Sequence, residues 1–134
     1  MTVKDKPLVA FAMAIGFLMA SGPMFAHHGV GNVDTSHLVT LQGTVTEFEM
    51  INPHAQISLE VTNDEGKVER WTIEASSPNT LHRFGWDRNT IKPGDRVTVI
   101  GYRAKDGGVF MNLRKLVLSN GKELNVIQSE ESLR

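Results

Sequence analysis

In Val39-Thr40-Leu41-Gln42-Gly43-Thr44-Val45-Thr46-Glu47-Phe48-Glu49-Met50, apolar and polar side chains alternate and then change places. Val39, Leu41, Gly43 and Val45 alternate with Thr40, Gln42, Thr44 and Thr46, the period of two of a half-buried strand. From Glu47 onward the phase is reversed, with Glu47 and Glu49 polar and Phe48 and Met50 apolar. An inversion inside one strand predicts a bulge, and a strand bent in that way curls between two sheet surfaces. Such curling favours a closed barrel over a flat sheet.

Working outward, Asn52-Pro53 ends this strand. Ile57, Leu59 and Val61 then alternate with Gln56, Ser58 and Glu60 in a second strand that stops at the turn Asn63-Asp64-Glu65-Gly66. Trp71, Ile73 and Ala75 mark a third. Ser77-Pro78-Asn79 signals a short helix, with Ser77 as N-cap and Pro78 at the first helical position, closed by Gly85. Leu81 and Phe84 share one side of it, apolar surface suited to plugging an open barrel end. Lys92-Pro93-Gly94-Asp95 has the residues of a type II turn and leads into a fourth strand over Arg96 to Tyr102. After Asp106-Gly107-Gly108, Phe110 to Leu118 forms a fifth. Ser119-Asn120-Gly121 turns the chain once more before a short extension, Leu124 to Ile127. Three strands, one helix and two strands predict an all-β domain with one short helix, a five-stranded OB-like barrel, closed or partly open. The alternative is an open antiparallel sandwich.

Upstream, Lys4 and Lys6 precede an apolar run from Leu8 to Ala20 and a breaker at Ser21-Gly22-Pro23, the order of a secretory signal peptide. The run is too short for a stable membrane span. Ala26 offers a small residue at the cut, which assigns residues 1–26 to a signal peptide, 27–37 to an N-terminal extension, 38–127 to the barrel and 128–134 to a polar, disordered tail. The expected location is the periplasm or the exterior. The 134 residues hold 14 Lys plus Arg against 15 Asp plus Glu and no cysteine. So even a balance argues against nucleic acid as a partner, since polyanion affinity rests on many unpaired cations. The absence of cysteine removes disulfides, thiolate zinc sites and thiol nucleophiles.

Histidine then becomes the principal metal-binding side chain. A mature chain beginning His27-His28-Gly29 presents a free α-amine and the ring Nδ1 of His27 to one metal, two nitrogens from one residue. A third nitrogen makes a T-shaped histidine brace, a tetragonal set suited to Cu(II). His28 is one source of it, by a purely local chelate. His54 is the other: it shares the parity of Gln56, Ser58 and Glu60 and points out of the core. A three-residue loop between the second and third strands sets His54 opposite Glu74; a five-residue loop sets it diagonal. Either places a carboxylate where it can orient a ligating imidazole. The plainer readings are that His27 and His28 are a polar chain start and that His54 caps a turn. His37 and His82 read as loop and surface residues, Met50 and Met111 as core, and Glu47, Glu49 and Glu60 as solvated strand faces.

Trp71, Trp86, Tyr102 and Phe110 suit either the core, the first reading, or a stacking face for an envelope glycan or protein partner, the alternative function for a noncatalytic OB-type module. No phosphate loop, serine nucleophile with a base or paired-carboxylate motif is present, so hydrolysis has no foothold. An oxidative copper enzyme built on the same brace is a third reading.

Ala26-His27-His28, Ile51-Asn52-Pro53-His54-Ala55, Ser77-Pro78-Asn79 with Gly85-Trp86, and Lys92-Pro93-Gly94-Asp95 through Gly101-Tyr102-Arg103-Ala104-Lys105-Asp106-Gly107 resemble an uncharacterised family of small exported bacterial proteins. The resemblance implies export and maps a His-His start and an Asn-Pro-His motif onto His27, His28 and His54. It departs at Gly29-Val30, where relatives favour a Ser-Phe pair. It implies no activity.

Overall fold

The structure, a computed structural model, describes residues 30–127. Six strands form one sheet: β1 (Val39–Glu49), β2 (Gln56–Thr62), β3 (Val68–Glu74), β4 (Arg96–Arg103), β5 (Phe110–Leu118) and β6 (Glu123–Asn125), with helix α1 (Pro78–Arg83) between β3 and β4. Their order is β3-β2-β1-β4-β5-β6, and a further parallel pairing of β3 with β5 closes the first five into a barrel. That closure is the OB topology and excludes the open sandwich.

β1 makes the barrel possible by serving two partners. Its first half, Val39 to Thr44, pairs with β4, and its second half, Thr44 to Glu49, pairs with β2. The register with β2 slips between Val45 and Glu47, so Thr46 is the bulge residue that the phase inversion predicted. Gly43 lies beside it: a Cβ there would meet Glu60 O at 2.5 Å and Leu59 Cγ at 2.8 Å, so only glycine permits this approach of β2.

Ile57, Leu59, Val61, Trp71, Ile73, Val97, Val99, Met111 and Leu113 fill the interior at alternate strand positions, and Leu116 joins them after an irregularity in β5. α1 closes one end. Ser77 Oγ accepts from Thr80 N at 3.3 Å as the N-cap, Leu81 is buried, and Phe84 packs partly against the core. Trp86 follows, donating Nε1–H to Asn125 O at 2.9 Å and tilting against Phe48. Gly94 takes φ +94° and Asp95 N donates to Lys92 O, as the proposed turn requires.

Two segments are more integrated than the sequence indicates. Val33, assigned to an extension, is 1% exposed and bridges to Ala104 at the end of β4. The C-terminal extension is a paired strand, β6, beside Lys115 to Val117 of β5, and the next residue, Val126, is in the core. Short segments of two or three apolar residues have no periodicity to read, so their docking is visible only in three dimensions.

Candidate functional site

The five-residue connection 63–67 between β2 and β3 sets the register Gln56↔Glu74. Ala55 then bonds to Ser76 and Ala75, which leaves His54 diagonal to Glu74, the second of the two registers open from sequence. His54 Nδ1 lies 3.7 Å from Glu74 Oε1; the histidine side chain is 50% exposed and the glutamate 16%. Glu74 is held from its other side. Closure of β3 on β5 pairs it with Asn112, whose Nδ2 donates to the same Oε1 at 3.5 Å. Asn112 carried no signal in the sequence, because a parallel pairing between strands 38 residues apart leaves none. The imidazole retains Nε2 and the carboxylate retains Oε2 for a ligand.

The other histidines of the described segment are placed otherwise. His82 Nδ1 is 2.9 Å from Trp86 O, tied to the end of α1. His37 lies 3.0 Å from Ser36 Oγ and 3.4 Å from Asp34 Oδ2. The Asp34 carboxyl is held below the usual carboxylate range, first by the Ser36 hydroxyl, then by the Ser36 N–H and the charges of His37 and Lys105. His27 and His28 lie outside the described residues. Among the described residues no three His, Cys, Asp or Glu side chains form a metal-holding cluster.

Three of the four aromatic side chains offer no stacking platform, while Phe110 at the start of β5 is half-buried. Trp71, Trp86 and Tyr102 are 3%, 1% and 7% exposed, so a partner cannot reach their faces. Burial won because Trp71 shares the inward parity of Ile73, and Trp86 follows the helix that plugs the barrel. At the barrel end away from α1, Arg103 lies 4.9 Å over the Trp71 ring, with its guanidinium donating to Gly107 O and Gly108 O. Trp71 Nε1 donates to Glu69 at 3.1 Å, and Asn63 donates to the other Glu69 oxygen at 3.1 Å. These bonds, Asn63 first, hold the Glu69 carboxyl below its ordinary value. The network reads as structural.

The first described residues are tied to the β4–β5 hairpin. Asp34 N donates to Arg103 O, Lys105 N to Asn32 O, and Lys105 Nζ to Gly31 O at 2.9 Å. Among the described residues no helix is long and apolar enough to cross a membrane.

The sequence profile of a family of unknown function matches residues 16–111. No curated protein matches the chain. Among solved structures it is similar to the mitochondrial single-stranded DNA-binding protein Rim1 of S. cerevisiae, at 13% identity and TM-score 0.46, covering 66% of this chain and 96% of that one. It is also similar to the N-terminal domain of PriB from Thermoanaerobacter tencongensis, at 20% identity and TM-score 0.38, with the same two coverages. The fold assignment rests on strand order and closure, not on these likenesses.

Proposed function

Taking as premise that the chain belongs to DUF6152, a family of unknown function, we propose that it is a periplasmic metal-binding module, with copper as its metal. His27 contributes its amine and ring after signal cleavage, His54 or His28 contributes the third nitrogen, and Glu74 orients His54. The observation that carries this reading is the His54–Glu74 pair: a half-exposed imidazole with one ring nitrogen turned to a carboxylate and the other open, the outer-shell arrangement common at ligating histidines. The described residues supply only part of a ligand set, so the donors of the chain start are essential to it.

Anchoring of Val33 at Ala104 defines the reach. His27 lies six positions before Val33, a tether of at most roughly 20 Å. β4 and β2 are three interstrand steps apart across β5 and β3, about 14 Å on a flat sheet. An extended tether covers that width; a local chelate through His28 needs none of it.

Competition titration with Cu(II) tests the reading. Protein beginning at His27 is expected to bind far more tightly than protein carrying one extra N-terminal residue, and equal affinity rejects the brace. His54→Ala then separates the two third ligands: a large loss selects His54, and no loss together with a large loss in His28→Ala selects the local chelate.

A further inference from the structure

We infer that Arg114 is an oxyanion-binding residue, and that the outer barrel face around Tyr102 takes a small ligand bearing a carboxylate or phosphate group. The inference is independent of copper. It begins with Gly101, where a Cβ would lie 2.2 Å from Asn112 O. The lack of a side chain lets β4 and β5 close up, and the register slips: Ile100 pairs with Lys115 and Gly101 with Leu113, leaving Arg114 as the unpaired bulge residue. Bulges re-aim side chains. Here Arg114 swings over Tyr102, with its guanidinium carbon 5.1 Å from the ring centroid.

Tyr102 stands on the outward parity of β4 and is outside the contiguous core, yet it is buried. Its ring is a fixed shelf under a flat cation. Among the described residues that cation meets the ring and no counter-charge. Arg114 Nε is buried with no hydrogen-bond partner, and no carboxylate comes within ion-pair distance of the guanidinium among the described residues. A half-buried cation without a counter-charge is costly. A guanidinium lying over a ring, with no hydrogen bond from its terminal N–H groups to any described residue, matches the two-oxygen edge of a carboxylate or phosphate.

The same face carries the opposite pole. Asn112 and Arg114 both point outward from β5, and Asn112 binds Glu74, which is beside His54. An anion is repelled at Glu74 and drawn to Arg114, which fixes the end of the strip at which the oxyanion sits.

The test is NMR of the arginine Nε–H groups in the intact protein, titrated separately with inorganic phosphate and with acetate. The Arg114 resonance, assigned by its loss in Arg114→Met, is expected to shift saturably with at least one anion, and the tighter of the two identifies the group preferred. Arg114→Lys, which keeps the charge and loses the fork, is expected to weaken binding about tenfold, read from the other face resonances. His54→Ala is expected to leave anion binding unchanged, so failure of the copper reading and failure of this one are separable. Arg114→Met is expected to keep or raise the melting temperature, because it deletes an unsatisfied donor. A non-saturable response to both anions, wild-type binding by Arg114→Lys, or a melting temperature lowered as by a core deletion overturns the proposal; the last makes Arg114 a structural cover for Tyr102.

Discussion

Single residues carry the tightest geometry in this barrel. Gly101 and Gly31 differ in what surrounds them: a Cβ at Gly101 runs into the backbone of β5, and one at Gly31 meets nothing within 4 Å. Gly101→Ala is expected to cost about 2–3 kcal/mol through overpacking, and Gly31→Ala to stay within about 0.5 kcal/mol of wild type, both read from urea unfolding. Glu69 gives a pH signature. Its folded pKa lies below the ordinary 4.5, so its contribution to stability is complete above that value and fades as the pH falls through the lowered one. The stability gap between wild type and Glu69→Gln is therefore expected to be constant near neutrality and to narrow below about pH 4.5, as followed by thermal melts across the acid range. At Glu74, substitution by Gln is expected to weaken copper binding about tenfold without unfolding the barrel, measured by the same competition titration as His54→Ala.

At the scale of elements, α1 shows how a six-residue helix survives. Isolated, it is far below the length at which a helix is stable in water. The Ser77 cap and Pro78 start it, and burial of Leu81 in the barrel mouth holds it. Leu81→Ala is expected to cost about 3 kcal/mol and Ser77→Ala about 1 kcal/mol, a ranking checked by chemical denaturation of both variants. The helix signals were legible because capping chemistry is local. So was the bulge in β1, since an inverted alternation has no other simple cause. The Arg114 bulge left a weaker trace of the same kind, Met111 and Leu113 in one phase and Leu116 in the other, but that the slip falls opposite Gly101 is visible only in the fold.

For the whole molecule, the deciding contact is the parallel seam between β3 and β5, Thr72↔Phe110 to Glu74↔Asn112, reinforced by Thr72 N donating to Val109 O. It turns a curled sheet into a barrel and brings Asn112 to Glu74. Thr72→Pro removes that donor within the seam and is expected to destabilise the domain by about 3 kcal/mol or more, measured as a shift of the single unfolding midpoint. Trp71 of β3 is buried in the same closed barrel with Arg103 over its ring, which removes it as a stacking surface for a partner.

Alternation, capping residues and turn chemistry in the chain by themselves determined five strands, one helix, the β1 bend and the outward aim of His54, because each of these is set by neighbours within a few residues. Only the tertiary structure decided that the sheet closes, that Val33 and β6 dock, that Glu74 is shared between His54 and Asn112, and that Arg114 stands over Tyr102 with no counter-ion among the described residues. Those facts depend on residues far apart in sequence meeting across strands, and no local pattern encodes such a meeting.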